Sequence, residues 1–179
     1  MHISLTPVCE QSEEELAALR ILNSAVYPPD VVATWPGRAI EWSPRQWSVI
    51  VWNDDHSQAL CHAGIVIRLG RHNEQDLRIG GIGGVMTHPA HRRRGIASAA
   101  ISRCIEFFRD ESEIEVGLLV CKPELLSFYS GMGWRVFSGN LVVTQRGKPE
   151  TFTFNRSMTY PIRRPDELSG TIDLLGPPW

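Results

Sequence analysis

The sequence predicts an α/β (α+β) fold: a mixed, mostly antiparallel central sheet with flanking helices. Three observations carry that expectation. Period-two and continuous apolar segments fill Trp47–Thr87. A stripe with three- and four-residue spacing follows from about Gly95 to Arg109, and a strand-length apolar run resumes at Glu115–Cys121. Strands first, then strand–helix–strand–helix–strand, describes an antiparallel lead followed by one crossover. The 179 residues are expected to form a single domain, 1–179, with its core in 47–137 and C-terminal strands and a tail in 138–179.

Each element has a local reason. Ser12 before three glutamates predicts an N-cap, and Leu16, Leu19, Leu22 and Val26 make a helix of about Glu13–Ala25. Tyr27-Pro28-Pro29-Asp30 ends it. The stretch to Pro44 reads as irregular, with Trp35 and Trp42 packed on the core or lining a pocket, the core being favoured. Strands are expected at Trp47–Trp52, Ala59–Leu69 and Leu77–Thr87, joined by polar connections. Pro123 opens a short helix that Gly131 and Gly133 close. Trp134–Phe137 and Leu141–Gln145 read as a hairpin around Ser138-Gly139-Asn140, with a further strand at Glu150–Phe154.

Composition excludes several classes. Hydrophobic residues make up 42% before the 15 glycines are counted, so the body of the chain is not disordered. Eighteen basic against 20 acidic residues, net −2, argues against a nucleic-acid partner. No apolar run approaches the roughly 20 residues that span a bilayer, so no membrane partner is expected. The first residues lack the basic-then-apolar form of a secretory leader. Cys9, Cys61, Cys104 and Cys121 show no paired spacing, which suits reduced thiols in a cytoplasmic protein.

The informative stretch is Gly80–Ala97, G-G-I-G-G-V-M-T-H-P-A-H-R-R-R-G-I-A. Gly80, Gly81, Gly83 and Gly84 interrupt a strand, which points to a bulge or to close approach by another group. Arg92, Arg93 and Arg94 precede a helix, the end where positive charge is unfavourable. A bound anion reverses that sign, because free N–H groups, the helix dipole and the guanidiniums then form a diphosphate cradle.

Arg92-x-x-Gly95-x-Ala97 resembles the acyl-CoA pyrophosphate loop of the GNAT superfamily of N-acetyltransferases. Val85-Met86-Thr87 ahead of it and Tyr129-x-x-x-Gly133-Trp134 after it fit the same pattern. The resemblance spans roughly Trp47–Phe137. Within the superfamily it is nearest the aminoglycoside 2'-N-acetyltransferase group, through Leu60–Val66, Ser127–Trp134 and the Ile172-Asp173 to Trp179 tail.

The resemblance implies an acyl-CoA N-acyltransferase fold in which two parallel strands splay apart to admit acetyl-CoA. The implied activity is direct acetyl transfer to a primary amine of a small molecule, aminoglycoside-like in the nearest group. Val85, Met86 and Thr87 would pair with the pantetheine arm, while a bulge at Gly83-Gly84 aims a backbone N–H at the thioester oxygen. Arg92, Arg93, Arg94, Gly95, Ile96 and Ala97 would hold the diphosphate. Tyr129 would be the general acid for the departing thiolate. Asp30, Asp173 and Trp179 would bind the acceptor, and a homodimer is expected by analogy.

The relatives' general base, a glutamate, falls here on Gly83, so the base stays open among His62, His88, His91, Glu41, Asp30 and water. His88-x-x-His91 has no further ligand in pattern, and no metal is expected. Cys121 reads as a core thiol. Two other readings stay open: acetylation of a protein or peptide amine, and a catalytically silent acyl-CoA sensor.

Overall fold

A computed structural model describes residues 1–164 and 168–179. One mixed sheet of ten strands runs through these residues. Strand β1, His2–Pro7, lies antiparallel to β2, Trp47–Trp52, which pairs with β3, Ala59–His72. β3 turns through Asn73 and Glu74, both at positive φ, into β4, Gln75–Thr87. β5, Val116–Cys121, is parallel to β4. Beyond it lie β9, Arg156–Pro161, and the two-residue β6, Arg135–Val136. On the other side, β3 shares its second edge. β2 takes residues 59–65, and β10, Thr171–Asp173, takes 71–72 and leads on to β7, Asn140–Gln145, and β8, Lys148–Thr151.

The described residues form four α-helices: α1, Glu13–Val26, α3, Ile96–Asp110, and α4, Leu126–Ser130, carry residues buried in the fold, while α2, Pro29–Thr34, is exposed along its length. Ser12 caps α1 as expected. Its hydroxyl accepts from the Glu15 N–H, and the Glu15 carboxylate accepts from the Ser12 N–H, a complete capping box. Both faces of the central strands are buried. Val49, Val51 and Ile82 pack under Ile101 and Phe108 of α3, Ile50 and Trp52 meet Leu19 and Leu22 of α1, and Leu77, Ile79 and Leu118 meet Leu141, Leu174 and Trp179. Burial on two faces explains why Trp47–Trp52 shows no polar alternation.

The sequence-predicted hairpin around Ser138-Gly139-Asn140 is not formed. β6 pairs with β9 and β7 with β8, so the two segments lie on opposite sides of the sheet. The tight turn sits instead at Arg146-Gly147, both at positive φ, which matches the twist a two-residue hairpin needs. The expected strand at Glu150–Phe154 is β8, shifted toward the N-terminus. Trp35 and Trp42 join neither the main core nor a closed pocket. They stack 6.0 Å apart and meet Phe152 and Phe154 edge-on, an aromatic cluster that reaches the core through Phe152 and whose outer ring, Trp35, is exposed.

Candidate active site

β4 and β5 stay hydrogen-bonded only from Ile79–Ile82 against Val116–Leu119. Beyond that point Gly83–Thr87 and Val120–Cys121 no longer pair with each other, which opens the parallel pair at its C-terminal end and leaves a gap in the hydrogen-bonded sheet. Each strand glycine beside the gap has its own cause. A Cβ at Gly80 would lie 2.7 Å from the Phe108 ring of α3. At Gly81 it would lie 2.1 Å from the Trp179 indole, and at Gly83 2.6 Å from the Trp179 carbonyl carbon. Gly84 stands at φ +57°, where a side chain is strained.

Trp179 is therefore laid over β4, on the face opposite α3. It is 6% exposed and donates its indole N–H to the Leu118 carbonyl at 3.1 Å. Ser43 and Arg68 hold the tail in place. The Ser43 N–H donates to Pro178 O at 2.7 Å, its hydroxyl donates to Pro177 O, and Arg68 donates to Pro177 O at 2.6 Å and to the Ser43 hydroxyl. The Arg68 guanidinium also sits 5.3 Å over the indole. The expected glutamate position is thus filled by the main chain of Trp179.

The bulge predicted at Gly83-Gly84 is formed. His62 pairs with Met86 and Gly64 with Gly83, so Gly84 and Val85 together face the single residue Ala63. His62, 2% exposed, lies beneath it, with Nδ1 2.9 Å from Gly84 O and Nε2 3.3 Å from the Ser48 hydroxyl, which accepts from Arg45 Nε at 2.8 Å. Burial, with the Arg45 charge in smaller part, lowers the His62 pKa to about 4 against the pull of the Gly84 carbonyl. A buried neutral ring with both nitrogens engaged is not placed to take a proton from an amine, so His62 drops out as a base.

Met86 and Thr87 lead into the loop. Pro89–His91 forms a single 3₁₀ turn, then Arg93 (φ +59°) and Gly95 (φ +75°) both adopt left-handed conformations before α3 begins. No side chain caps α3, so its first N–H groups lack a side-chain acceptor. Arg92, Arg93 and Arg94 are exposed around them; Arg92 donates from Nε to Thr87 O, and Arg94 lies against His91 Nδ1. A diphosphate fits this uncapped, basic helix start.

Tyr129 of α4 is 5% exposed, edge-on to Phe128 and Trp134. Burial pushes its phenol well above the ordinary tyrosine range, with the Cys121, Cys61 and Cys104 thiols adding to the effect. Cys121 ends β5 and Cys61 pairs with Thr87 of β4, so both sides of the gap act on this phenol. The thiols do not ionise readily either. Burial raises Cys61, and it raises Cys121 to about 11, with the Glu124 charge adding; Cys121 is a core thiol.

The remaining sequence candidates are scattered. Asp173 pairs with Arg71 at the far end of β3, and its carboxylate accepts from the Leu175 N–H, so it is not brought to the gap. Asp30 lies exposed in the first turn of α2. Glu41 accepts from the Arg146 N–H and tethers the aromatic loop to the β7–β8 turn. The His88 ring accepts from the Ala90 N–H, edge to face with His91. Ser43, Arg45, Ser48 and Arg68 escaped the sequence reading. The only signal was polarity out of place, Ser48 and His62 standing inside apolar strands.

A gap between parallel strands, a bulge at its mouth and an uncapped basic helix start define an acyl-CoA N-acyltransferase fold. A family model for the acetyltransferase (GNAT) domain matches residues 11–137, and the chain belongs to that family. It is a GNAT acetyltransferase. Among solved structures it is similar to Escherichia coli ElaA, at 20% identity and TM-score 0.62 over 89% of this chain and 98% of that one. It is also similar to E. coli YhbS, a GNAT family N-acetyltransferase in complex with CoA, at 13% identity and TM-score 0.65 over 97% and 89%. A Brucella melitensis GNAT family acetyltransferase in complex with acetyl-CoA matches at 15% identity and TM-score 0.56 over 96% and 94%. No curated protein sequence matches. No helix among the described residues is long and apolar enough to cross a membrane.

Proposed function

We propose that the acetyl group passes directly from acetyl-CoA to a primary amine of a small molecule. The observation that carries the reading is the β4–β5 gap, flanked by the Gly84–Val85 bulge and by Tyr129. In this reading the main chain of Val85, Met86 and Thr87 pairs with the pantetheine arm. Arg92–Arg94 and the amides of Gly95, Ile96 and Ala97 hold the diphosphate. As the amine attacks, the thioester oxygen gains charge at the bulge N–H, and Tyr129, protonated through burial, gives its proton to the leaving thiolate.

The acceptor side supports a compact amine over a peptide. Trp179 lies over Gly81 and Gly83 of β4 and takes up space on the tail side, which favours a compact acceptor over an extended chain. The tail that carries Trp179 is held by the Arg68 cation and by Ser43, which follows Trp42 of the aromatic cluster in sequence. That setting suits an amine on an aromatic or uncharged body better than a polycation, and Asp173 stands away from it.

Thiol release from acetyl-CoA, measured against arylalkylamines, amino acids, polyamines, aminoglycosides and peptides, tests this. Turnover of compact amines, slowed about 100-fold or more in Tyr129→Phe, is expected. Turnover of peptides alone would overturn the small-molecule reading. Aminoglycoside turnover would overturn the preference for an uncharged body, and acetyl-CoA binding without any turnover would remove acetyl transfer altogether.

A further inference from the structure

We propose that His62 is a positioning residue for the thioester's hydrogen-bond donor: anchored through Ser48 and Arg45, its ring grips the Gly84 carbonyl and so aims and polarises the Val85 N–H of the same peptide unit. This rests on the acetyl-transfer reading of the bulge. The two ends fix the outer hydrogen bonds of the chain, and a neutral ring fixes the one between Ser48 and His62. Arg45 has only donors and the Gly84 carbonyl only accepts. Arg45 Nε–H therefore donates to Ser48 Oγ, the Ser48 hydroxyl donates to His62 Nε2, and His62 Nδ1–H donates to Gly84 O. Only the neutral ring completes this relay, and the low pKa of about 4 keeps it neutral.

The bulge needs such a grip. Gly84 is exposed and left-handed, and a Cβ there would meet only the His62 ring, at 3.8 Å. Glycine tolerates rotation of its following peptide at little cost, and a flipped Gly84–Val85 unit would present a carbonyl to the thioester in place of an N–H. A hydrogen bond to the carbonyl opposes that flip and draws charge through the amide, so the N–H becomes a stronger donor. Space for the anchor is built in: a Cβ at Gly64 would stand 3.1 Å from the Arg45 side chain and 3.2 Å from Gly83 O. The acid–base question then separates cleanly, because His62 moves no proton and works on the electrophile.

The test is infrared difference spectroscopy of acetyl-CoA labelled with ¹³C at the thioester carbonyl, with kcat, KM and CoA affinity alongside. Bound to the wild type, the carbonyl band is expected to shift to lower frequency. In His62→Leu the band returns toward that of free acetyl-CoA and kcat falls about tenfold or more, while CoA affinity holds. His62→Asn, which keeps a donor near the Nδ1 position, restores most of both. Ser48→Ala, which keeps the ring and loses only its anchor, gives a partial return of the band if His62→Leu does not fold. An unshifted band in the wild type, or an equal shift and kcat in the wild type and the variants, overturns the proposal while the enzyme stands. So does a loss of CoA affinity in step with kcat, which would mark a merely structural ring. A wild type that binds no acetyl-CoA overturns the acetyltransferase reading and this one with it.

Discussion

Gly81 and Gly83 hold open the space that Trp179 fills, and that makes their energetics interdependent. A methyl at Gly81 would stand 2.1 Å from the indole, so Gly81→Ala is expected to cost about 1–3 kcal/mol in urea unfolding through overpacking. Trp179→Ala alone is expected to cost about 3 kcal/mol. Combined, they should cost less than their sum by more than about 0.5 kcal/mol, because loss of the indole removes the clash and the methyl at 81 fills part of the cavity left behind; strict additivity would show that the ring does not rest there. His62 gives a second residue-scale expectation. Its folded pKa of about 4 lies below the unfolded value near 6.5, so the folded state binds fewer protons in between. The stability it contributes is whole above pH 6.5 and is lost as pH falls through 4. From pH 7.5 to 5 this amounts to about 2 kcal/mol, which should disappear from the pH dependence of unfolding in His62→Leu. The strand glycines were visible in the sequence as an anomaly, and the bulge followed from Gly83-Gly84. That two of them, Gly81 and Gly83, face Trp179 was not visible, because nothing local links residue 179 to residue 81.

At the scale of elements, α3 begins where the chain is least comfortable: Arg93 is left-handed, Gly95 is left-handed, and no side chain caps the helix. Arg93→Gly removes a backbone penalty of about 1 kcal/mol and one unfavourable charge, so thermal unfolding of the free protein should not fall. The KM for acetyl-CoA should rise severalfold and become less sensitive to salt, since one diphosphate contact is gone. A drop in stability without a change in KM would show that the loop serves the fold and not the ligand. α1, α3, β2, β3, β4 and β5 were legible because a cap on α1 and apolar stripes or runs of the right period and length marked them. β1 alternates as a strand should, yet its partner β2 is 40 residues away. α2, β6 and β10 are too short for periodicity to reveal, and the false hairpin arose because Ser-Gly-Asn is a stronger turn signal than Arg-Gly.

Across the whole molecule, β3 organises the site. One edge carries β4 throughout, while the other is divided between β2 and β10, and Arg68 lies in the interval where neither pairs. From there it stacks on Trp179 and donates to Pro177 and Ser43, tying the tail to both the aromatic loop and the sheet. Arg68→Ala should therefore loosen residues 174–179 to limited proteolysis and raise the KM for the amine, with the KM for acetyl-CoA unchanged. An acetyl-CoA effect of equal size would place Arg68 on the wrong side of the gap. Sheet order of this kind was out of reach of the sequence, because strand partners 30 to 100 residues apart are chosen by packing and not by local pattern. The same long-range fit sets a rule for how such a chain can vary over time. A side chain cannot arise at position 81 or 83 while the indole and its main chain lie there. Gains at those strand positions and losses at position 179 should therefore travel together through lineages, and a descendant that gains a carboxylate on the strand is expected to have first surrendered its tryptophan.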